Sequence, residues 1–250
     1  MDKIKSLTGM LDLYDDGDNS LLPAKLFYLE EKIKHIFKSY KLNEIRTPVL
    51  EDANLFIRSV GGASDIVNKE IYSFNDRNDK GIALRPEGTA SVIRSIVEKK
   101  LDQSNHKLWY LGPMWRYERP QKGRYRQFNQ AGVEILGIPE GMPEFEMISI
   151  VCSIITEFNL ENCTIKINHL GNQKSKESFC NALIDFLEPH KKLLDEKDNQ
   201  RLEKNPLRVL DTKNTNTQEI LKNAPSIKEF LDSSSVNLLN SIKNEFSDIC

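Results

Sequence analysis

Apolar residues recur every three or four positions over residues 22–40, which is the spacing of one face of an α-helix. Pro23 stands near the start, where its missing backbone N–H leaves no hydrogen bond unmade. The same spacing recurs over residues 89–101 and 143–158. We therefore expect a helix in each of these three segments.

Shorter segments between these helices have the composition of β-strands. Residues 71–74, 81–86 and 163–171 predict strands, and residues 43–51 predict a short extended segment. Residues 107–118 and 124–136 predict two strands that are joined by RPQKG as a hairpin.

The character of the chain changes after Gly171, the last of its glycines. Apolar residues at helical spacing predict one helix from Phe179 and a last one through Phe246. Ser226 with Glu229 matches a capping box, which predicts the start of another helix. We therefore predict an α+β part over 1–171 and a helical part over 172–250.

The overall composition excludes few functions and does not by itself indicate a binding partner. The chain is 39% hydrophobic and 29% charged with a net charge of −2, so a polyanion must be met by a local patch. No stretch of eighteen apolar residues occurs, which predicts no membrane span, and the start lacks the apolar core of a signal peptide. The cysteines stand singly, which argues against a disulfide framework or a zinc site and fits a reducing cytoplasm.

The predicted hairpin is the densest cluster of chemistry-bearing side chains. Side chains alternate between the two faces of a strand. One face of the second strand therefore carries two cations, an aromatic ring, an amide, a glycine and an acid: Arg124, Arg126, Phe128, Gln130, Gly132 and Glu134. The other face carries Ala131, Val133 and Ile135, which suit a core.

This polar face predicts a nucleotide triphosphate beside a small amine-bearing molecule. Arginine forks match phosphate oxygens, and an aromatic ring between cations can stack on a base. Gly112 and Gly132 would let a ligand approach the backbone, and Gln130 and Glu134 could hold a second, polar ligand. An exposed hairpin with a charged turn explains the same alternation without any ligand.

A second candidate is LRPEGTA (84–90), which ends a strand and opens a helix. Thr89 suits a helix cap, and Glu87 suits the positive end of the helix dipole. The alternative is a functional pair, in which the carboxylate and the hydroxyl together grip an ammonium group.

The two stretches together resemble the histidyl-tRNA synthetase family of class II aminoacyl-tRNA synthetases. LRPEGTA and YLGPMWRYERPQKGRYRQFNQAGVEILG carry the resemblance, and the second is similar to the family's motif 2. TPVLE (47–51) resembles motif 1, and NPLRVLD (205–211) resembles part of a helical insertion in bacterial members. The resemblance implies a class II antiparallel sheet flanked by helices, with the helical insertion region at the C-terminal end.

The family converts histidine and ATP to histidyl-adenylate and pyrophosphate, and then transfers the histidyl group to tRNA(His). The resemblance implies that Glu87, Thr89 and Gln130 hold the α-ammonium of L-histidine and that Glu134 reads its imidazole. It also implies a cytoplasmic homodimer, with motif 1 at the dimer interface.

The ATP end of the site is implied in the same way. Arg116 would bind the α-phosphate and stabilise charge in the transition state, while Phe128 would stack on adenine. Glu118, Arg124 and Arg126 would lie around the ATP, and Mg²⁺ would accompany the triphosphate.

Departures from the family pattern are small inside the motifs and large at the end of the chain. Asn129 stands where histidine is usual and Trp115 where phenylalanine is common. No segment resembles motif 3, the second catalytic arginine or the anticodon-binding domain. We therefore expect the N-terminal portion of a histidine–tRNA ligase, whose isolated chain activates histidine poorly.

Two other functions remain open at this point. One is a regulatory paralogue that senses histidine or binds a partner enzyme without catalysis. The other is a general RNA-binding module that uses the basic hairpin. Retention of RPEGT and RYERPQKGRYRQF favours the ligase, because a histidine sensor needs no ATP cradle.

Overall fold

The computed structural model describes residues 3–14, 23–60, 70–119 and 121–247. Leu22, Pro120 and Cys250, which figure in the sequence predictions, lie outside these ranges. The chain forms two compact units, Met1–Glu161 and Asn162–Cys250. The boundary between these two compact units falls after Glu161.

Four helices and two small sheets make up the described part of the first unit. The helices are α1 (Pro23–Ser39), α2 (Ala53–Val60), α3 (Thr89–Glu98) and α4 (Met142–Glu157). The strands are β1 (Asn43–Glu44), β2 (Leu50–Asp52), β3 (Ser73–Asn75), β4 (Gly81–Leu84), β5 (His106–Trp115) and β6 (Gln127–Leu136). The three predicted helices are confirmed, and α2 was not foreseen.

The long hairpin of β5 and β6 is the centre of one sheet, whose order is β1-β5-β6. The hairpin is antiparallel and places Gly112 opposite Gln130 and Met114 opposite Phe128. The other sheet has the order β2-β4-β3 and is antiparallel throughout. The predicted hairpin is thus confirmed, and Gly112 and Met114 of β5 lie on the same side of the sheet as the polar face of β6.

The opposite face of the hairpin forms a core with α1 and α4. Trp109 packs against Phe37 with ring centroids 5.6 Å apart, in a buried cluster that also contains Ile36, Leu42 and Ile150. Ile36 and Phe37 belong to the apolar stripe of α1 and Ile150 to that of α4, so their burial fixes both helices against the sheet. Ala131, which the alternation also assigned to this core, is exposed instead.

Arg85, which is 8% exposed, ties the segment after β1 to the hairpin. Its Nη1 donates to the Thr47 carbonyl oxygen at 2.8 Å, and its Nε donates to the Pro113 carbonyl oxygen at 3.1 Å. Burial lowers the pKa of the guanidinium. This anchor fixes the end of β4, from which the LRPEGTA loop leaves.

The second unit is helical in its described part. Its helices are α5 (Gln173–Leu187), α6 (Glu196–Lys204), α7 (Thr215–Leu221) and α8 (Ser233–Phe246), with short 3-10 helices at Glu188–Leu193, Pro206–Asp211 and Ile227–Phe230. Its buried core contains Leu183, Leu187, Leu194, Leu202 and Val209. The capping box of Ser226 and Glu229 is confirmed, although it opens a single 3-10 turn rather than an α-helix.

A buried carboxylate braces this unit. Asp198 is 1% exposed and accepts hydrogen bonds from Thr212 Oγ1 at 2.6 Å and from Arg201 Nη1 at 3.1 Å. Both oxygens of Asp198 are thereby satisfied, which is the condition for burying a charge without a large penalty. The contact joins α6 to the residue that follows the NPLRVLD segment.

The strand predicted over residues 163–171 is wrong, because that stretch lies outside every strand of the structure. A strand is stable only where a neighbour takes up its N–H and C=O groups, and no described strand pairs with these residues. No helix within the described ranges has both the length and the apolar character needed to cross a bilayer. Cys152 is buried, Cys180 is half-buried and Cys163 is exposed.

Candidate active site

The start of α3 is capped by Glu87. Its carboxylate accepts the backbone N–H of Thr89 at 2.5 Å and that of Ala90 at 3.0 Å. Both N–H groups belong to the first turn, where the helix has no internal acceptor for them. Glu87 therefore caps the N-terminus of α3, a role that the sequence also allowed for Thr89. The Thr89 side chain makes a different contact.

Thr89 joins α3 to β6. Its hydroxyl donates to Glu134 Oε1 at 2.6 Å, across 45 positions of sequence. Burial raises the pKa of Glu134, and the negative charge of nearby Glu87 raises it further, while the hydrogen bond from Thr89 acts in the opposite direction. Three of the four residues predicted to bind histidine are thus in one hydrogen-bonded group.

Gln130 is the fourth, and it lies on the same face of β6 as Glu134. Its side-chain oxygen Oε1 is buried and has no hydrogen-bond partner among the described residues. A buried acceptor without a donor costs about 1–3 kcal/mol, so such atoms are rare in proteins and call for an explanation. A donor supplied by a ligand would satisfy it.

The space above the two glycines of this face is occupied by neighbouring side chains. The prediction was that this space would admit a ligand. A Cβ atom added at Gly132 would lie 2.2 Å from Cζ of Tyr110, and one added at Gly112 would lie 2.9 Å from Nη2 of Arg85. The space above Gly132 is therefore occupied by the Tyr110 ring. Sequence reasoning missed Tyr110, although its position two residues before Gly112 puts it on the polar face.

Arg116 lies at the other end of the polar face. Its Nε donates to the Pro86 carbonyl oxygen at 2.8 Å, and its Cζ is 5.2 Å from the centroid of the Phe128 ring. Because the main chain uses Nε, the Nη1 and Nη2 groups carry the remaining donors. The residue predicted for the α-phosphate and the one predicted for adenine are thus neighbours.

At the turn end of the hairpin, the negative charge of Glu118 lies beside the positive charge of Arg124. Glu118 Oε2 is 3.0 Å from Nη1 of Arg124, and the Glu118 carbonyl oxygen accepts from Nε of Arg126 at 3.1 Å. The Arg126 guanidinium stacks on the Tyr117 ring at 3.8 Å. Glu118, Arg124 and Arg126 are therefore in one cluster, in which Glu118 offsets part of the positive charge.

A short N-terminal turn supports this cluster and was not foreseen. The Gly9 carbonyl oxygen accepts the backbone N–H groups of Arg126 at 2.7 Å and Gln127 at 3.2 Å. Gly9 has a φ of +78°, which favours glycine, and a Cβ there would approach Cγ of Arg126 to 2.9 Å. The start of β6 is thus held by main-chain contacts from outside the hairpin.

A cleft of about 670 Å³ opens beside Glu87 and Thr89. It continues along the outer face of α3 past the apolar side chains of Ile93 and Val97, and neither Gln130 nor Glu134 lines it. Its lining therefore suits apolar contact rather than a charged amino acid. The polar face of the hairpin remains the candidate active site.

The hairpin sheet carries two side-chain clusters, one of Glu87, Thr89 and Glu134 and one of Glu118, Arg124 and Arg126. The sheet and these clusters define an α+β protein of the class II synthetase type. The family model described as histidyl-tRNA synthetase matches residues 22–240. The chain belongs to the histidyl-tRNA synthetase family.

Curated relatives and solved structures agree with this assignment. The chain is 46% identical over 226 residues to a histidine–tRNA ligase of Francisella philomiragia, covering 88% of this chain and 53% of that relative. It is 44% identical over 238 residues to one from Microcystis aeruginosa, covering 93% and 56%. The chain therefore spans about half the length of the curated relatives it matches.

The structure of apo S. aureus histidyl-tRNA synthetase superposes with a TM-score of 0.76 at 31% identity, covering 98% of this chain and 55% of that one. A Bacillus halodurans protein described as an ATP phosphoribosyltransferase regulatory subunit/histidyl-tRNA synthetase gives a TM-score of 0.60 at 18% identity, covering 97% and 67%. The second likeness shows the shared fold.

Proposed function

We propose that the chain binds L-histidine and ATP side by side on the polar face of β5 and β6, as the substrate-binding half of a histidine–tRNA ligase. The buried, unpartnered Oε1 of Gln130 is the observation that carries this proposal. The protein provides an acceptor at this place, and a ligand would provide the donor.

The histidine end of the site is rich in acceptors. Glu87, Gln130 and the Thr89 hydroxyl would together surround the α-ammonium group, which has three N–H donors. Glu134 lies beyond them and would accept an imidazole N–H. A half-buried acceptor of this kind rejects side chains that lack the donor, because it would be left unpaired.

The ATP end is rich in donors. Arg116 would meet the α-phosphate, Phe128 would stack on adenine, and Arg124 and Arg126 would lie along the triphosphate. The Arg124 guanidinium is 62% exposed in its pair with Glu118, and exposed pairs contribute little stability, so phosphate can replace Glu118 at small cost.

The chemistry implied by this arrangement is attack of the histidine carboxylate on the α-phosphorus, with pyrophosphate leaving. The carboxylate is already a nucleophile, so no general base is required. The protein would contribute positioning and stabilisation of the charge on the phosphoryl oxygens, chiefly through Arg116. Transfer of the histidyl group to tRNA(His) would follow.

Mg²⁺ would be held mainly by the triphosphate. The described residues contain no group of three side chains that could ligate a metal ion. Mg²⁺ in ATP sites usually keeps several waters and takes one or two carboxylates together with phosphate oxygens. Glu118 is the carboxylate that we propose for this role, where the ion would neutralise phosphate charge.

We propose further that two copies pair through the segment around Pro48, which resembles motif 1. Val49 and Leu50 in this segment are 39% and 44% exposed, so the protein presents apolar surface there. A homodimer would cover it.

The test is binding of histidine and of ATP by calorimetry, together with histidine-dependent exchange of pyrophosphate into ATP. We expect both ligands to bind, histidine in preference to the other nineteen amino acids, with exchange that is slow or below detection. Full exchange activity would contradict the expected impairment. Failure to bind histidine would contradict the proposed function, and histidine binding without ATP binding would favour a histidine sensor.

A further inference from the structure

Two arginines of the polar face stand opposite each other at the turn end of the hairpin. The backbone N–H of Arg116 donates to the Arg126 carbonyl oxygen at 2.9 Å, one position beyond the end of β5 and the start of β6. Like charges directly opposite each other repel and destabilise a pair of strands. Glu118 offsets little of this charge, because it approaches Arg116 only to 4.0 Å and is paired with Arg124. The fold therefore needs other contacts that hold both guanidinium groups.

Each of the two guanidinium groups is held by the same two kinds of contact. Arg116 has its Nε on a main-chain carbonyl oxygen and its Cζ over the Phe128 ring. Arg126 has its Nε on the Glu118 carbonyl oxygen at 3.1 Å and its Cζ 3.8 Å from the centroid of the Tyr117 ring. These contacts use one of the five N–H donors of a guanidinium, so the four on Nη1 and Nη2 lie outside them.

The Tyr117 ring is itself held in place, although 52% of the residue is exposed. Its backbone N–H donates to the Glu70 carbonyl oxygen at 2.7 Å, and its ring meets the Tyr72 ring edge to face, with centroids 5.4 Å apart. The Tyr72 carbonyl oxygen accepts the backbone N–H of Leu84, the last residue of β4, at 2.9 Å. The ring under Arg126 is thus connected to the second sheet.

We propose that Tyr117 is a positioning residue that holds Arg126 for the phosphates of ATP beyond the α-phosphate. Arg116 is the residue proposed for the α-phosphate, and strand pairing places Arg126 directly beside it. An aromatic ring can cover the flat face of a guanidinium while the N–H groups at its edge meet phosphate oxygens. A stacked side chain has already lost rotamer freedom, so less entropy is lost when the phosphates bind. This role rests on the proposed function, since Tyr117 acts on ATP only through Arg126.

The experiment compares ATP with AMP by calorimetry in the whole chain. AMP keeps adenine and the α-phosphate and lacks the phosphates proposed for Arg126. We expect Tyr117→Leu, which replaces the flat ring by an aliphatic side chain, to reduce the preference for ATP over AMP about three- to tenfold. The affinities for AMP and for histidine should stay unchanged. A loss of AMP and histidine binding as large as that of ATP would show a general disturbance of the site and overturn the role.

A conservative variant and a double-mutant cycle test whether the ring acts through Arg126. Tyr117→Phe keeps the ring face and should retain the preference of the wild type. The double variant of Tyr117→Leu with Arg126→Ala should lose no more preference than Arg126→Ala alone, because the ring has no other route to the phosphates. Additive losses, or a loss in Tyr117→Phe as large as in Tyr117→Leu, would overturn the role of the ring.

Tyr28→Leu is the matched control. Tyr28 is 53% exposed, and Nζ of Lys32 lies 5.5 Å from the centroid of its ring on α1. The variant removes an equally exposed ring from a cation, and it should leave the preference for ATP unchanged. An undiminished preference in Tyr117→Leu, or equal affinity of the wild type for ATP and AMP, would overturn the role of Tyr117 alone. A wild-type chain that binds neither nucleotide would overturn the proposed function together with it.

Discussion

At the scale of single residues, the role proposed for Glu134 in binding histidine conflicts with the stability of the fold. Its carboxylate is half-buried beside a second carboxylate, Glu87, and both burial and that charge raise its pKa. A raised pKa in the folded state means that the fold favours the protonated form. The ionised form that would accept an imidazole N–H therefore makes the ligand-free fold less stable.

Replacing Glu134 by glutamine should reveal this cost. Glutamine keeps the oxygen that accepts from Thr89 and has no charge, so Glu134→Gln should raise the free energy of unfolding at about pH 8 and lose that advantage by about pH 4. The advantage should appear as the pH rises through the raised pKa. Chemical denaturation across this pH range measures it, with Glu245→Gln on the exposed face of α8 as control. A pH-independent difference would contradict the assignment of the shift to Glu134.

Replacing Arg116 should weaken the binding of ATP and leave the binding of histidine unchanged. Arg116→Ala removes the Nη donors beside Phe128, and loss of charge-assisted hydrogen bonds of this kind weakens binding about ten- to hundredfold. Calorimetry with ATP and with histidine separates the two effects. Arg46→Ala, whose side chain is 83% exposed, is the control and should bind ATP as the wild type does. Equal loss of both ligands in Arg116→Ala would show a general disturbance of the site.

At the scale of elements, the hairpin depends on how closely its two strands pack around one ring. Gly132 and Tyr110 stand opposite each other in the register, and the ring fills the volume that a Cβ at Gly132 or at Gly88 would need. The strand, the ring and the loop at Gly88 therefore form one packing unit. A change in any of them displaces the others.

Gly132→Ala should test this packing. The added methyl group meets Cζ of Tyr110 at 2.2 Å, and overpacking of this type costs about 1–3 kcal/mol of unfolding free energy. Gly81→Ala is the matched control in another strand, because its Cβ would have its nearest contact at 3.9 Å. Urea denaturation of both variants gives the comparison. Equal stability of the two variants would contradict the close approach of Tyr110.

The elements also show which part of the molecule a sequence can predict. Alternation is a local property, so it predicted the hairpin and its polar face from residues 107–136 alone. The contact of Tyr110 with Gly132 depends on register, and a shift of one residue at the turn would have removed it. The strand predicted over residues 163–171 failed for a similar reason, since a ladder needs a partner that the segment itself does not specify.

The resemblance of LRPEGTA and the motif 2 stretch to a known family was enough to predict that Glu87, Thr89 and Glu134 share one site. It did not predict that Thr89 joins Glu134 directly. That contact depends on the distance between α3 and β6, which sequence spacing does not encode.

At the scale of the whole molecule, each of the two compact units has a core of its own. The second unit encloses Leu183, Leu202 and Val209, and Asp198 links its helices through Thr212 and Arg201. Such a buried link is costly to break, because the partners then lose a charged acceptor in a dry environment.

Asp198→Ala should therefore destabilise the second unit by about 3–5 kcal/mol. Hydrogen exchange measured by mass spectrometry should show the loss of protection in α6 and in the segment 206–211. Asp211→Ala, which changes an exposed carboxylate at the end of the same segment, is the control. Unchanged protection in α6 would show that Asp198 does not brace the unit.

Arg85 has a consequence for how ionic strength acts on this protein. Its hydrogen-bond acceptors are the carbonyl oxygens of Thr47 and Pro113 and the Thr47 hydroxyl, none of which is charged. Salt screens exposed ion pairs such as Arg124 with Glu118, and it leaves a buried contact with neutral oxygens almost untouched. The loop that carries Glu87 should thus stay in place as salt is added. We therefore expect any salt dependence of ATP binding to arise at the hairpin, from the phosphate contacts and from the Arg124–Glu118 pair that they would replace.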